Sequence, residues 1–75
     1  MIKPLNMVNS GKKVEIVEIR AGRGLMIKLS EMGLHIGSII EVVFNSGRGP
    51  LIISKNGARF ALGAGMAFKI IVKEI

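Results

Sequence analysis

The side chains that could carry chemistry near neutral pH are one histidine, His35, and five glutamates, in a 75-residue chain with no aspartate and no cysteine. General acid–base catalysis needs two groups held close together with their pKa values pushed apart. Glu15, Glu18, Glu41 and Glu74 alternate with apolar residues in strand-like stretches, and Glu31 falls in a helical one. That pattern sets up no carboxylate pair. A transition-metal site needs several converging ligands, and His35 has neither a second histidine nor a thiolate to share an ion with. A disulfide framework and a thiolate zinc site are excluded outright. The sequence is therefore read as non-enzymatic, with no cofactor and no metal site.

Two weaker motifs give the same answer. Gly22-Arg23-Gly24 resembles a phosphate-binding glycine loop only in part. The third glycine and strand–helix–strand unit of a dinucleotide site are missing, as is the Lys-Ser/Thr of a P-loop. It reads as a turn into a helix. The five methionines include Met7, Met26, Met32 and Met66. Thioethers suit a soft cuprous ion, and methionine more often fills irregular gaps or makes adaptable contact surfaces.

The charge balance leaves a binding role open. Eleven Lys and Arg against five Glu give a formal net charge of +6, which attracts nucleic acid, anionic lipid or an acidic protein surface. The charges are scattered, and only Lys12 and Lys13 are adjacent. Tryptophan and tyrosine are absent, and Phe44, Phe60 and Phe68 sit in apolar contexts. Single-strand binders need exposed stacking platforms, so no specific nucleic-acid recognition is expected. No apolar run approaches the ~20 residues of a spanning helix, and the start of the chain lacks a signal-peptide core. No membrane insertion is expected, and the protein is read as cytoplasmic.

The elements that position these residues are mostly strands. Val14 to Ile19 is a first strand, with a break in alternation between Ile16 and Val17 that suggests a bulge or burial on both faces. Ser38 to Phe44 places Ile40, Val42 and Phe44 on one face. Leu51 to Ser54 and Arg59 to Leu62 flank Asn56-Gly57, the strongest short hairpin signal. Lys69 to Ile75 closes the chain. Between the first two strands, Leu25, Met26, Leu29 and Met32 recur with helical spacing up to Gly33, a left-handed C-terminal cap. About five short antiparallel strands with one short helix after the first predict a single all-β domain over residues 1–75, a sheet curled into a small barrel.

The residues that punctuate these elements resemble the bacterial ferrous iron transport protein A (FeoA) family. Leu29-Ser30-Glu31-Met32-Gly33-Leu34, then His35-Ile36-Gly37 and Ser38-Ile39-Ile40-Glu41-Val42, is similar to the family's helix, Met-Gly-Leu, Pro-Gly, strand signature. Gly49-Pro50 and a short apolar strand match the next element, and Ala61-Leu62-Gly63, Met66-Ala67 and Ile70-x-Val72 match the closing pattern. The resemblance covers roughly Leu5 to Val72, with Ile36 standing where the family often has proline.

The resemblance implies an SH3-like barrel and a cytoplasmic accessory of ferrous iron uptake. Its partner would be the FeoB-type transporter, a membrane protein with a cytosolic GTP-binding domain. On that reading the chain binds neither iron nor nucleotide itself, and weak self-association stays open. A helix lying over a small barrel leaves surplus apolar surface, which makes α-helical and flanking residues the candidate docking set. Leu25, Met26 and Leu29 compete for the core with Met32 and Leu34, while Ile27 lies off the core stripe. Arg23, Lys28 and Arg48 would rim the resulting patch and suit an acidic-rimmed partner. Two alternatives come from other classes. One is a free relative of the SH3-like C-terminal domain of metal-responsive repressors, and the other is a small basic RNA-binding barrel.

Overall fold

A computed structural model describes the whole chain, Met1–Ile75, as one six-stranded antiparallel sheet of order β1-β6-β2-β3-β4-β5. The strands are β1 (Ile2–Pro4), β2 (Lys13–Ile19), β3 (Ile39–Asn45), β4 (Leu51–Lys55), β5 (Ala58–Leu62) and β6 (Ile70–Glu74). Helix α1 (Arg23–Glu31) follows β2, and a single turn of helix, α2 (Ala64–Ala67), joins β5 to β6. The sheet coils tightly enough that the molecule measures 28 × 24 × 24 Å. This is the small all-β SH3-like fold expected from the sequence, with one strand more than the expected five.

The additional strand, β1, pairs Ile2 with Lys73 and Pro4 with Ile71. Proline is tolerated there because the strand forms an edge, where a missing N–H breaks no interior ladder. Leu5–Met7 then forms a single 3-10 turn, which buries Leu5.

Two bulges decide which side chains reach the core. Between β2 and β6 the register passes from Ile16↔Val72 to Glu18↔Ile71, so Val17 is the extra residue at the expected break. Between β3 and β4 it passes from Val42↔Ile53 to Phe44↔Ile52, leaving Val43 unmatched. That second bulge corrects the sequence reading. Ile40 and Val42 are buried, but Phe44 is rotated off their face and is 50% exposed.

The core gathers fourteen buried apolar residues: nine from strands β2 to β6, Leu29 and Leu34 from α1 and the turn after it, Leu5 and Val8 from the N-terminal turn, and Ala67 from α2. No charged or polar residue is buried. The β4–β5 hairpin turns on Asn56 (φ 51°) and Gly57 (φ 85°), the paired left-handed geometry of a type I′ turn.

Candidate functional site

Helix α1 presents two stripes. Leu25, Leu29 and Met32 face inward: Leu29 is completely buried, and Leu25 and Met32 pack half-buried against the core. The second stripe, Arg23, Met26, Ile27 and Ser30, is offset around the helix at spacings of three and four residues, and Leu34 joins it from the turn after the helix. Together with Ile19 from the end of β2, Glu31 and His35, it lines an open groove of about 420 Å³. Met26 is 39% and Ile27 53% exposed, so the groove floor is apolar surface left in water.

The groove is held by the way α1 ends. Gly33 is left-handed at φ 78°, its N–H donates to the Ser30 carbonyl at 2.9 Å, and the Leu34 N–H donates to the Leu29 carbonyl at 2.9 Å. This pair of bonds is the Schellman cap, whose companion apolar contact is supplied by Leu29 and Leu34, both buried in the same core. The loop that follows is tied in turn. The His35 N–H donates to Ser38 Oγ at 2.9 Å, and the Gly37 N–H donates to the Ile16 carbonyl on β2 at 2.7 Å. His35 therefore sits on a braced loop at one end of the groove.

The helix start is looser. Gly22 stands at the N-cap with no side-chain cap, and the first turn carries Arg23 and no acidic residue. A cation at that end opposes the helix dipole. Arg23 and Glu31 take part in none of the three ion pairs in the molecule, which join Lys3–Glu74, Arg20–Glu18 and Lys73–Glu15. Both charges are thus available at the groove rim.

Of the residues singled out from sequence, Arg23, Met26, Ile27 and Leu34 meet at this groove. Leu29 belongs to the core rather than the surface, and Leu25 and Met32 are divided between them. Lys28 is exposed on α1 and Arg48 on the β3–β4 loop, and neither lines the groove. The rim is consequently mixed in charge, Arg23 with Glu31, rather than uniformly basic. Ile19, Ser30, Glu31 and His35 lie outside the docking set expected from sequence. Ser30 and Glu31 follow from the offset helical stripe, whereas Ile19 is brought in only by tertiary packing. No three His or Glu side chains converge as a metal-ligand group.

The fold and this groove place the chain in the class of small all-β SH3-like domains. Residues 3–74 match the FeoA domain family. The chain is 42% identical over 71 residues to a provisionally named Fe(2+) transport protein A of Methanocaldococcus jannaschii, covering 95% of this chain and 85% of that one. It therefore belongs to the FeoA family. A crystal structure described as an iron uptake regulatory protein, FeoA, superposes over 100% of both chains with a TM-score of 0.93 and 39% identity. A manganese-dependent transcriptional repressor shares the fold alone, at 18% identity and a TM-score of 0.89, with 99% of this chain matching 42% of that one.

Proposed function

We propose that this protein is an accessory of ferrous iron uptake that docks on the cytosolic part of an FeoB-type transporter through the α1 groove. Membership of the FeoA family supports the iron-uptake part of this reading. The observation that carries the docking part is the pair Met26 and Ile27, two large apolar side chains left in water in a groove they line together with Ile19 and Leu34. A partner that covers them gains the stabilisation of apolar burial, ~25 cal/mol per Å² before the costs of association. Arg23 and Glu31 at the rim would set orientation rather than supply most of the affinity. No helix of the chain is long and apolar enough to cross a membrane, so the transporter would supply the membrane-spanning part of the assembly.

The test is a pull-down of the transporter's cytosolic domain at low and moderate salt, with Ile27→Glu and Met26→Glu as variants. Ile27 is 53% and Met26 39% exposed, so both variants are expected to fold, which a thermal melt of each checks. We expect binding that persists at moderate salt and weakens about tenfold or more in either variant. Binding unchanged by both variants would move the docking surface elsewhere. Binding erased by modest salt and matched by any RNA would indicate a purely electrostatic role.

A further inference from the structure

The open sheet has two edges, and the chain treats them differently. Strand β1 is three residues long, ends in Pro4, and has Lys3 engaged with Glu74 of β6 at 2.7 Å. Shortness, proline and charge are the devices that keep an edge from pairing with another chain. Strand β5 at the other edge has five residues, no proline and a single charge, Arg59. Its register with β4 runs unbroken from Lys55↔Ala58 to Leu51↔Leu62.

The hairpin geometry says which backbone groups stand free. A two-residue type I′ turn makes Lys55 and Ala58 the hydrogen-bonded pair that closes it. Bonded and non-bonded pairs then alternate, so Ile53–Phe60 and Leu51–Leu62 are bonded. The N–H and C=O groups of Arg59 and Ala61 consequently point away from β4, and no turn, loop or cap bond reaches them.

Two further observations bear on what could pair there. On the outer face, Phe44, Ile52 and Ala61 are direct cross-strand partners in a row that stops at the edge. Phe44 is 50% and Ile52 36% exposed. In charge, the stretch between Glu41 and Glu74 contains no acidic residue, while Arg48, Lys55, Arg59, Lys69 and Lys73 all lie within it. At the edge itself the charges are Arg59 on β5 and Lys55 beside the turn, and the one acid in their rows is Glu41, two strands away from Arg59 across Ser54. A second copy would bring another +6 to a molecule already at +6, whereas an acidic strand would be attracted to Arg59 and Lys55.

We propose that β5 accepts an extended acidic segment of a partner protein as an additional antiparallel or parallel strand. Main-chain bonds to Arg59 and Ala61 would hold the segment, a carboxylate would face Arg59, and an apolar side chain two residues away would continue the Phe44–Ile52–Ala61 row. This surface is independent of the α1 groove, and its test leaves that groove intact.

The probe is the peptide acetyl-Thr-Glu-Val-Val-Val-Glu-Thr-amide, compared with the same peptide carrying Lys for Glu. Amide hydrogen exchange is followed on the isotope-labelled full chain. We expect the acidic peptide to slow exchange at Arg59 and Ala61 about tenfold or more, and the lysine peptide to have little effect. Ala61→Pro removes an outward N–H without touching the β4 ladder, so the hairpin persists while the peptide effect disappears. Arg59→Glu, a surface change, should reverse the preference towards the lysine peptide, and Ile27→Glu should leave it unaltered. Equal binding of both peptides, or protection at the α1 groove instead of β5, would overturn the proposal. So would a peptide-free dimer in sedimentation that Ala61→Pro dissolves, which would assign the edge to a second copy.

Discussion

The Asn45 side-chain amide donates to the Val8 carbonyl at 2.7 Å and to the Asn6 carbonyl at 2.9 Å, tying the end of β3 to the N-terminal loop. The same side chain accepts from the Gly47 N–H at 2.9 Å through Oδ1, so both of its polar atoms are used. The Asn45 N–H also donates to Ser10 Oγ at 2.8 Å. One residue thus closes contacts across more than thirty positions of chain, next to the buried side chains of Leu5 and Val8.

Asn45→Asp tests this latch with almost no change in shape. The carboxylate has no N–H to donate, so the two carbonyls lose their partner and face a negative oxygen instead. We expect a loss of about 1–3 kcal/mol in urea denaturation, the cost of leaving part-buried groups unsatisfied. A loss under about 0.5 kcal/mol would mean that water replaces the amide without penalty.

Leu29 and Ile27 separate the two stripes of α1. Leu29 is completely buried and Ile27 is 53% exposed. Leu29→Ala should destabilise the fold by about 2–5 kcal/mol through lost burial and a residual cavity. Ile27→Ala should fall within about 0.5 kcal/mol of the parent, as for surface changes away from special features. Chemical denaturation of both variants checks this, and comparable losses would show that the helix is seated differently.

Much of this arrangement is legible in the residues themselves. The bulge at Val17 shows as a break in alternation, the hairpin as Asn56-Gly57, and the end of α1 as Gly33 after an apolar stripe. Each is a local signal, carried by backbone geometry that few residue types tolerate. The bulge at Val43 leaves no such mark, because Val42, Val43 and Phe44 are all good strand residues and only pairing with β4 decides which one is left over. Strand β1 and helix α2 escape notice for a related reason. Three residues ending in proline carry little strand propensity, and four residues are too few to show a helical period, so both are held by neighbours rather than by their own pattern. The groove is half visible, since Met26 and Ile27 declare themselves by falling off the core stripe, while Ile19 joins them only after folding.

The Lys3–Glu74 pair, 2.7 Å apart, makes the β1 edge sensitive to acid. The hydrogen bond from Lys3 is the chief reason the Glu74 carboxyl sits below its ordinary value, partly opposed by desolvation and helped by the charges of Lys3, Lys12 and the N-terminus. A carboxyl lowered by folding stabilises the native state above its unfolded pKa, and that contribution fades as pH falls through the lower folded value. The fading should therefore begin at the ordinary carboxylate pKa and continue below it. In Lys3→Met the Glu74 titration, followed by carbon NMR, should move up towards the ordinary value. An unmoved midpoint would mean that the remaining charges hold it down without Lys3.

Two glycines at opposite ends of α1 should respond in opposite senses to alanine. Gly24 lies in the first turn at an ordinary helical φ, and a Cβ built there meets nothing within 4 Å. Gly24→Ala should stabilise the protein by about 0.5–1 kcal/mol, because alanine has less freedom to lose and helical propensity rises. Gly33 is left-handed at φ 78°, and a Cβ there would stand 3.4 Å from Lys55 Nζ. The lysine end can move aside, so the backbone term decides the sign. Gly33→Ala should cost about 1–2 kcal/mol, the penalty of a side chain in the left-handed region. Thermal melts of the two variants read this directly, with Tm rising for the first and falling for the second. If both rise, the Schellman cap at Gly33 is not what ends α1, and the groove that begins at Leu34 and His35 would need another support.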